Sequence, residues 1–399
     1  MGGRPRRRSR SPGGPSTVRP VGSGRDRASV LVVYGTRPEA IKLAPVVLAL
    51  QRDASFQPIV CITGQHQEMV DELNEVFGII PDFDLALQRD RQTLTHVTTA
   101  VLDGLEGVLD RSNPTAMVVQ GDTSSAFAAT LAAFYRHVPV AHVEAGLRTH
   151  DLAAPFPEEG NRRLIAQLAA LHLAPTAAAR RNLLAEGIDD GQVVVTGNTG
   201  IDALRLVAAA TPTPVATDGR RLVLVTAHRR ESWDGGLRAV ARAVRRLADE
   251  RDDVEFVFAV HPNPVAREAV LPLIARHEHI TVRDALPYRE FVSLLQRAHV
   301  ALTDSGGVQE EAPSFGTPVL VMRDKTERSE AIDAGVAKLV GTDEDRLVAE
   351  VTAVLDDDDA HARMAAIENP YGDGRAAERT VASLRWLLLG GPTPEPFVP

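Results

Sequence analysis

The 399-residue chain is 44% hydrophobic and 24% charged, with a net charge of −9 and one cysteine. One cysteine excludes an intrachain disulfide and a thiolate zinc site, and no run approaches the roughly 18 uninterrupted apolar residues of a membrane span. A soluble, cytoplasmic protein is expected, of two domains, because a single core stops growing near about 250–300 residues.

Charge is unevenly distributed. Residues 1–28 hold eight arginines against Asp26, a local +7 that leaves −16 on the remainder. An acidic body argues against nucleic acid as a partner. The tail's Arg/Ser content resembles a transit peptide, and 6–8 could touch an anionic surface. It has neither an apolar face nor the central apolar run of a secretory signal, so 1–28 reads as a disordered basic tail.

From residue 29 onward, short β-branched runs at 29–34, 58–63, 116–120 and 138–143 each precede a polar or glycine-containing turn and a helical stretch. This alternation predicts parallel βαβ units. It restarts after Thr211-Pro212-Thr213-Pro214, with strands at 221–226, 254–260, 280–283, 300–303 and 318–322. Two doubly wound α/β domains follow, spanning 29–205 and 206–374. Ligands of such sheets bind beyond the carboxyl ends of the strands, so those turns are the place to look for chemistry.

The first turn is GTRPEAIK at 35–42. Gly35 permits a tight exit, Pro38 suits the first helical position, and Arg37 and Lys42 sit where a helix N-terminus already favours an anion. A solvated basic helix start is the alternative. There is no G-x-G-x-x-G dinucleotide fingerprint. Asp122 and Glu144 close the next strands, and Glu158 and Glu159 lie in a Pro-rich loop at 155–162. Carboxylates at adjacent strand ends point into one crevice and suit general acid–base work, although Asp122 could simply cap the following helix. In the second half, Ser305, Gly306 and Gly307 would open a helix with free N–H groups, a cradle for a diphosphate. Glu310 and Glu311 follow, either for ribose hydroxyls or as ordinary first-turn acids. His228 and His261 end two further strands. No H-x-x-H, H-E-x-x-H or D-x-D stands near these turns, so no metal and no cofactor are expected.

Taken together, GTRPEAIKLAP (35–45), TGQH (63–66), GDT (121–123), HVEAGLRT (142–149), PEEGNR (157–162), TGNTGIDAL (196–204), HRRE (228–231), TDSGGVQEEAPSFGTPVLVMRDKTER (303–328) and NPYGDG (369–374) resemble the non-hydrolysing UDP-N-acetylglucosamine 2-epimerases over about 29–385. Gly160 departs from the pattern, standing where relatives often carry alanine or a larger residue, and a more mobile local loop is expected.

The resemblance implies two Rossmann-like domains in a GT-B arrangement, with a C-terminal helix at 375–390 crossing back to the first domain. It implies that Arg37, Lys42, Ser305, Gly306, Gly307 and Arg328 hold the diphosphate, Glu311 the ribose, and Leu286 and Phe291 the uracil. His228 would contact the diphosphate or leaving oxygen, and Asp122, Glu144 and Glu158 would form the acid/base set. A second, allosteric UDP-GlcNAc site would use Gln65, Glu68, Arg91, Arg229 and His261 beside Glu158. UDP-GlcNAc and UDP-ManNAc are the implied ligands, a homodimer the implied assembly, and cell-surface polysaccharide the implied destination of the ManNAc. A hydrolysing epimerase, a GT-B glycosyltransferase and a nucleotide-sugar sensor share parts of this set. The last two would not need three acids at strand ends.

Overall fold

The computed structural model describes residues 27–88, 92–211, 219–227, 235–284 and 286–399. They divide into two compact units, one running to Thr199 and including Gly374–Val398, the other comprising Gly200–Asp373. The division falls ahead of the 205/206 boundary expected from sequence, because the helix Thr199–Ala210 goes with the second unit almost whole. Pro212 and Pro214 of the expected linker lie outside the described residues.

The first unit runs β1 (Ala28–Tyr34), α1 (Arg37–Arg52), β2 (Phe56–Ile62), α2 (Gln67–Phe77), β3 (Phe83–Asp84), α3 (Leu94–Ser112), β4 (Ala116–Gln120), α4 (Ser124–Tyr135), β5 (Val140–Val143), α5 (Glu158–Leu168), β6 (Leu171–Ala174), α6 (Ala177–Ala185) and β7 (Val193–Val195). All its strands are parallel, in the order β3-β2-β1-β4-β5-β6-β7. β1 and β4 read as continuous apolar runs because helices cover both faces of such a sheet; Leu31, Val33, Met117 and Val119 join Val101 and Leu105 of α3 in one core.

The second unit begins with α7 (Thr199–Ala210). It continues through β8 (Arg221–Ala227), α8 (Gly236–Glu250), β9 (Val254–Val260), α9 (Pro264–Ile274), β10 (Ile280–Arg283), α10 (Tyr288–Arg297), β11 (Ala298–Thr303), α11 (Gly306–Glu311), β12 (Val319–Val321), α12 (Ser329–Ala334), β13 (Ala337–Leu339), α13 (Glu344–Asp356) and α14 (Asp358–Ala365). Its sheet is parallel, ordered β10-β9-β8-β11-β12-β13. α8 buries Leu237, Val240, Val244 and Leu247 at helical spacing and turns Arg238, Arg242, Arg245 and Arg246 outward, the pattern of a helix lying on a sheet.

The chain then returns to the first unit as α15 (Ala376–Leu389), packed on α1 and tied to it by an Arg385–Asp53 ion pair. The strand order reverses between β1 and β4 in one sheet and between β8 and β11 in the other. These are the points where doubly wound sheets open a ligand crevice.

Candidate active site

In the first unit the reversal point is built from the turns after β1 and β4. Gly35 is buried, and a Cβ placed on it would fall 1.8 Å from Thr63 Oγ1. Thr36 caps α1, which begins at Arg37 with Pro38 second, one residue earlier than expected. Arg37 and Lys42 are half-buried, and Lys42 Nζ lies 2.5 Å from Glu144 Oε1.

Asp122 follows Gly121, whose φ of +70 turns the chain out of β4. Its carboxylate accepts from Arg162 Nη2 at 2.5 Å and its carbonyl from Asn161 Nδ2 at 2.9 Å. The cap of α4 is Thr123, which accepts from the Ala126 N–H at 2.9 Å, so the capping alternative for Asp122 falls away. Glu144 stands one residue beyond β5 at φ +64, a left-handed conformation that strains a non-glycine residue by about 1–3 kcal/mol and recurs at functional sites. It accepts from Lys42 and from the Gln120 amide. Each acid therefore has its own cationic partner.

The segment expected as a loop at 155–162 is helical from Glu158 onward, since α5 starts there. Gly160 lies inside that first turn and not in a mobile loop; a Cβ on it would meet nothing within 4 Å. Glu158, Asn161 and Arg162 are spaced three and four apart, so they share one face of α5, the face that holds Asp122.

Several groups act here as supports, a role the sequence reading did not give them. Glu159, with 0% exposure, accepts from the N–H groups of Thr149 (3.0 Å) and His150 (3.2 Å) and from Arg163 Nε (3.0 Å). Burial pushes its carboxyl up, but these bonds and Arg162 win and hold it below the usual carboxylate range. A chain of ion pairs results, Asp122–Arg162–Glu159–Arg163–Glu186–Arg148, ending in a bidentate contact at 2.7 and 2.8 Å with the buried Arg148. His142 is fully buried, and its Nε2 donates to the Gly121 carbonyl at 2.7 Å, which pins the turn before Asp122. Burial depresses its pKa to about 4, keeping it neutral and fit for that single bond. The motifs HVEAGLRT, which contains His142 and Arg148, and PEEGNR, which contains Glu159 and Arg162, marked this region in the sequence without revealing these bonds.

In the second unit Leu286, Phe291, Ser305, Gly306, Gly307, Glu311, Arg328 and His261 all follow carboxyl ends of strands in one parallel sheet. The start of α11 is fixed by Thr303, whose hydroxyl accepts from the Ser305 N–H at 2.9 Å and contacts Thr226 Oγ1 at 2.6 Å. Gly306 leaves room for Arg328: a Cβ there would lie 2.8 Å from Arg328 Cζ and would push the guanidinium aside. Arg328 thus crosses the opening of α11, with Nε donating to the buried Glu310 at 2.9 Å and Nη1 to Glu327 at 2.6 Å. Glu311 is half-buried, as is Phe291, while Leu286 is buried.

Of the residues expected at a second ligand site, Gln65 accepts from the Ser125 hydroxyl at 2.8 Å and Glu68 is exposed on α2. His261 is half-buried after β9, where its Nδ1 accepts from the Asn263 N–H at 3.1 Å. Arg91, Arg229 and His228 lie outside the described residues. Among the described residues no helix is long and apolar enough to cross a membrane, and no cluster of three or more His, Cys, Asp or Glu is placed to hold a metal ion.

Known proteins share this framework. The family model for UDP-N-acetylglucosamine 2-epimerase matches residues 48–385. A Ralstonia nicotianae protein described as "Probable UDP-N-acetylglucosamine 2-epimerase" is 49% identical, covering 89% of this chain and 98% of its own. The UDP-N-acetylglucosamine 2-epimerase of Escherichia coli K12 is 45% identical over the same shares. A crystal structure of the Neisseria meningitidis UDP-GlcNAc 2-epimerase bound to UDP-GlcNAc superposes with a TM-score of 0.82 at 42% identity, covering 89% of this chain and 99% of that one. With a family model spanning most of its length and relatives of this identity along nearly all of theirs, the chain belongs to the UDP-N-acetylglucosamine 2-epimerase family.

Proposed function

We propose that this chain interconverts UDP-GlcNAc and UDP-ManNAc by the non-hydrolysing route, through elimination and re-addition of UDP. The observation that carries the reading is the pair of carboxylates on the turns after neighbouring strands, Asp122 beside Arg162 and Glu144 beside Lys42, with Glu158 on the helix face that holds Asp122.

The proton on C2 of the sugar is not acidic, so its direct removal is blocked. Departure of UDP changes that. The C1–O bond breaks with its electron pair on the diphosphate oxygen, and oxocarbenium character at C1 acidifies the C2–H. A carboxylate takes the proton, and the C1=C2 bond of 2-acetamidoglucal forms. Re-addition of the diphosphate oxygen to C1, with a proton delivered to the other face of C2, gives the epimer. Atoms and electrons balance with no external reactant. Two faces call for two proton-transfer groups, which a set of three acids supplies, and such transfers contribute about 10²–10⁴-fold.

Arg37 and Lys42 at the start of α1 would balance charge on the departing diphosphate, the electrostatic part of the work. The nucleotide contacts are assigned to Ser305, Gly306, Gly307, Glu311, Arg328, Leu286 and Phe291 of the second unit, together with His228. Gln65, Glu68 and His261, with Arg91 and Arg229, are assigned to the second UDP-GlcNAc site. The product would feed cell-surface polysaccharide.

Incubation with UDP-GlcNAc alone, followed by NMR of the sugar, tests the reading. UDP-ManNAc in equilibrium with substrate supports it. Free ManNAc with stoichiometric UDP would assign the hydrolysing reaction instead.

A further inference from the structure

Glu39 occupies the third position of α1 with 1% exposure. A capping-box glutamate needs to reach only the N-cap N–H. Glu39 does more. Its Oε2 accepts from the Gly35 N–H at 2.9 Å, the Thr36 N–H at 2.8 Å and the Thr36 hydroxyl at 2.9 Å, while Oε1 accepts from the Thr123 hydroxyl at 2.5 Å. Burial pushes its carboxyl upward, opposed by these same bonds. The last donor is no part of the α1 cap. Thr123 belongs to the turn after β4, next to Asp122, and its oxygen also accepts from Ala126 N–H to start α4. One hydroxyl therefore links the starts of two helices across the point where the strand order reverses.

We propose that Glu39 is a positioning residue for the epimerisation, holding the start of α1 in register with the Asp122 turn. The inference rests on the proposed function. Residues 39 and 42 lie three apart and share a face of α1. That face makes two ties, Glu39 to Thr123 and Lys42 to Glu144, so both acid-bearing turns are registered against one helix. Elimination needs the leaving group and the base aligned at the same moment. A shift of about 1 Å between the α1 start and the Asp122 turn would lower the rate, on the order of 10²-fold in severe cases, without removing either group. Glu39 touches no reacting atom; it acts through Thr123 and through the cap.

The test uses the full chain and the variants Glu39→Gln, Thr123→Val and Thr123→Ser, with kcat, KM, UDP affinity and Tm measured for each. Wild-type turnover of UDP-GlcNAc reports on the proposed function itself, so a failure of that reading shows in the wild type and a failure of this inference only in the variants. Glu39→Gln and Thr123→Val are expected to lower kcat roughly tenfold or more with KM and UDP affinity within about threefold. Thr123→Ser, which keeps the hydroxyl, recovers most of kcat. The double variant loses little beyond the worse single one, because both changes cut the same link. Loss of the α4 cap lowers Tm in Thr123→Val, and assays well below melting separate that effect from kcat. Wild-type kcat in Thr123→Val, or a Thr123→Ser as slow as Thr123→Val, would overturn the inference and leave Glu39 a helix cap. Should Glu39→Gln not fold, the Thr123 pair decides alone.

Discussion

At Gly35 the chain passes Thr63 with room for a hydrogen and no more, since an added Cβ would meet Thr63 Oγ1 at 1.8 Å and Thr63 Cβ at 3.1 Å. Gly35→Ala is expected to destabilise the first unit by about 1–3 kcal/mol, as overpacking does. Adding Thr63→Ala should restore part of the loss, and denaturant melts of the single and double variants check this. For chemistry, Asp122→Asn and Glu144→Gln should retain UDP binding by calorimetry yet lose on the order of 10²-fold or more in kcat, because under the proposed mechanism the carboxylates would act in the transition state. The two acids were legible in sequence: each follows a short apolar strand, and the turn after a parallel strand is where chemistry collects. The groups that hold them were not. Bonds such as His142 to the Gly121 carbonyl or Glu39 to Thr123 join residues far apart in sequence, and no spacing rule encodes them.

Among elements, the strands recovered from sequence are the β-branched runs such as β1, β4 and β9, whose apolar continuity is the signature of burial on both faces. β3, β6, β7 and β13, of two to four residues each, went unread, while the equally short β5, β10 and β12 were placed by the apolar runs around them. The α5 start was hidden by Pro155 and Pro157, which read as loop, although the helix opens directly after the second proline with Glu158 and Glu159 in a dipole-favoured first turn. α15 is an element whose role is packing. It buries Leu384 and Leu388 in the first unit. Leu384→Ala is expected to remove about 2–5 kcal/mol of stability, read as a lowered Tm, with kcat per folded molecule unchanged.

For the molecule as a whole, buried neutral histidines contribute to acid sensitivity. Burial depresses His142 from 6.5 to about 4 and, with the nearby charges of His142 and Arg148, depresses His172 to about 3. Above pH 6.5 both folded and unfolded chains hold these rings neutral, so stability does not change on their account. Below 6.5 the unfolded chain takes up protons that the folded chain refuses, and stability falls as pH drops toward 4. His172→Leu should flatten this acid limb in Tm-against-pH curves with little change at pH 7.5, since neither ring nitrogen of His172 bonds any described residue. Catalysis is the other whole-molecule property, and its core claim is that C2 loses its proton when UDP leaves. Epimerisation run in D₂O tests that claim most directly. Deuterium is expected at C2 of UDP-ManNAc and of recovered UDP-GlcNAc, with neither added nicotinamide nor divalent metal required. Complete epimerisation with protium retained at C2 would contradict the claim.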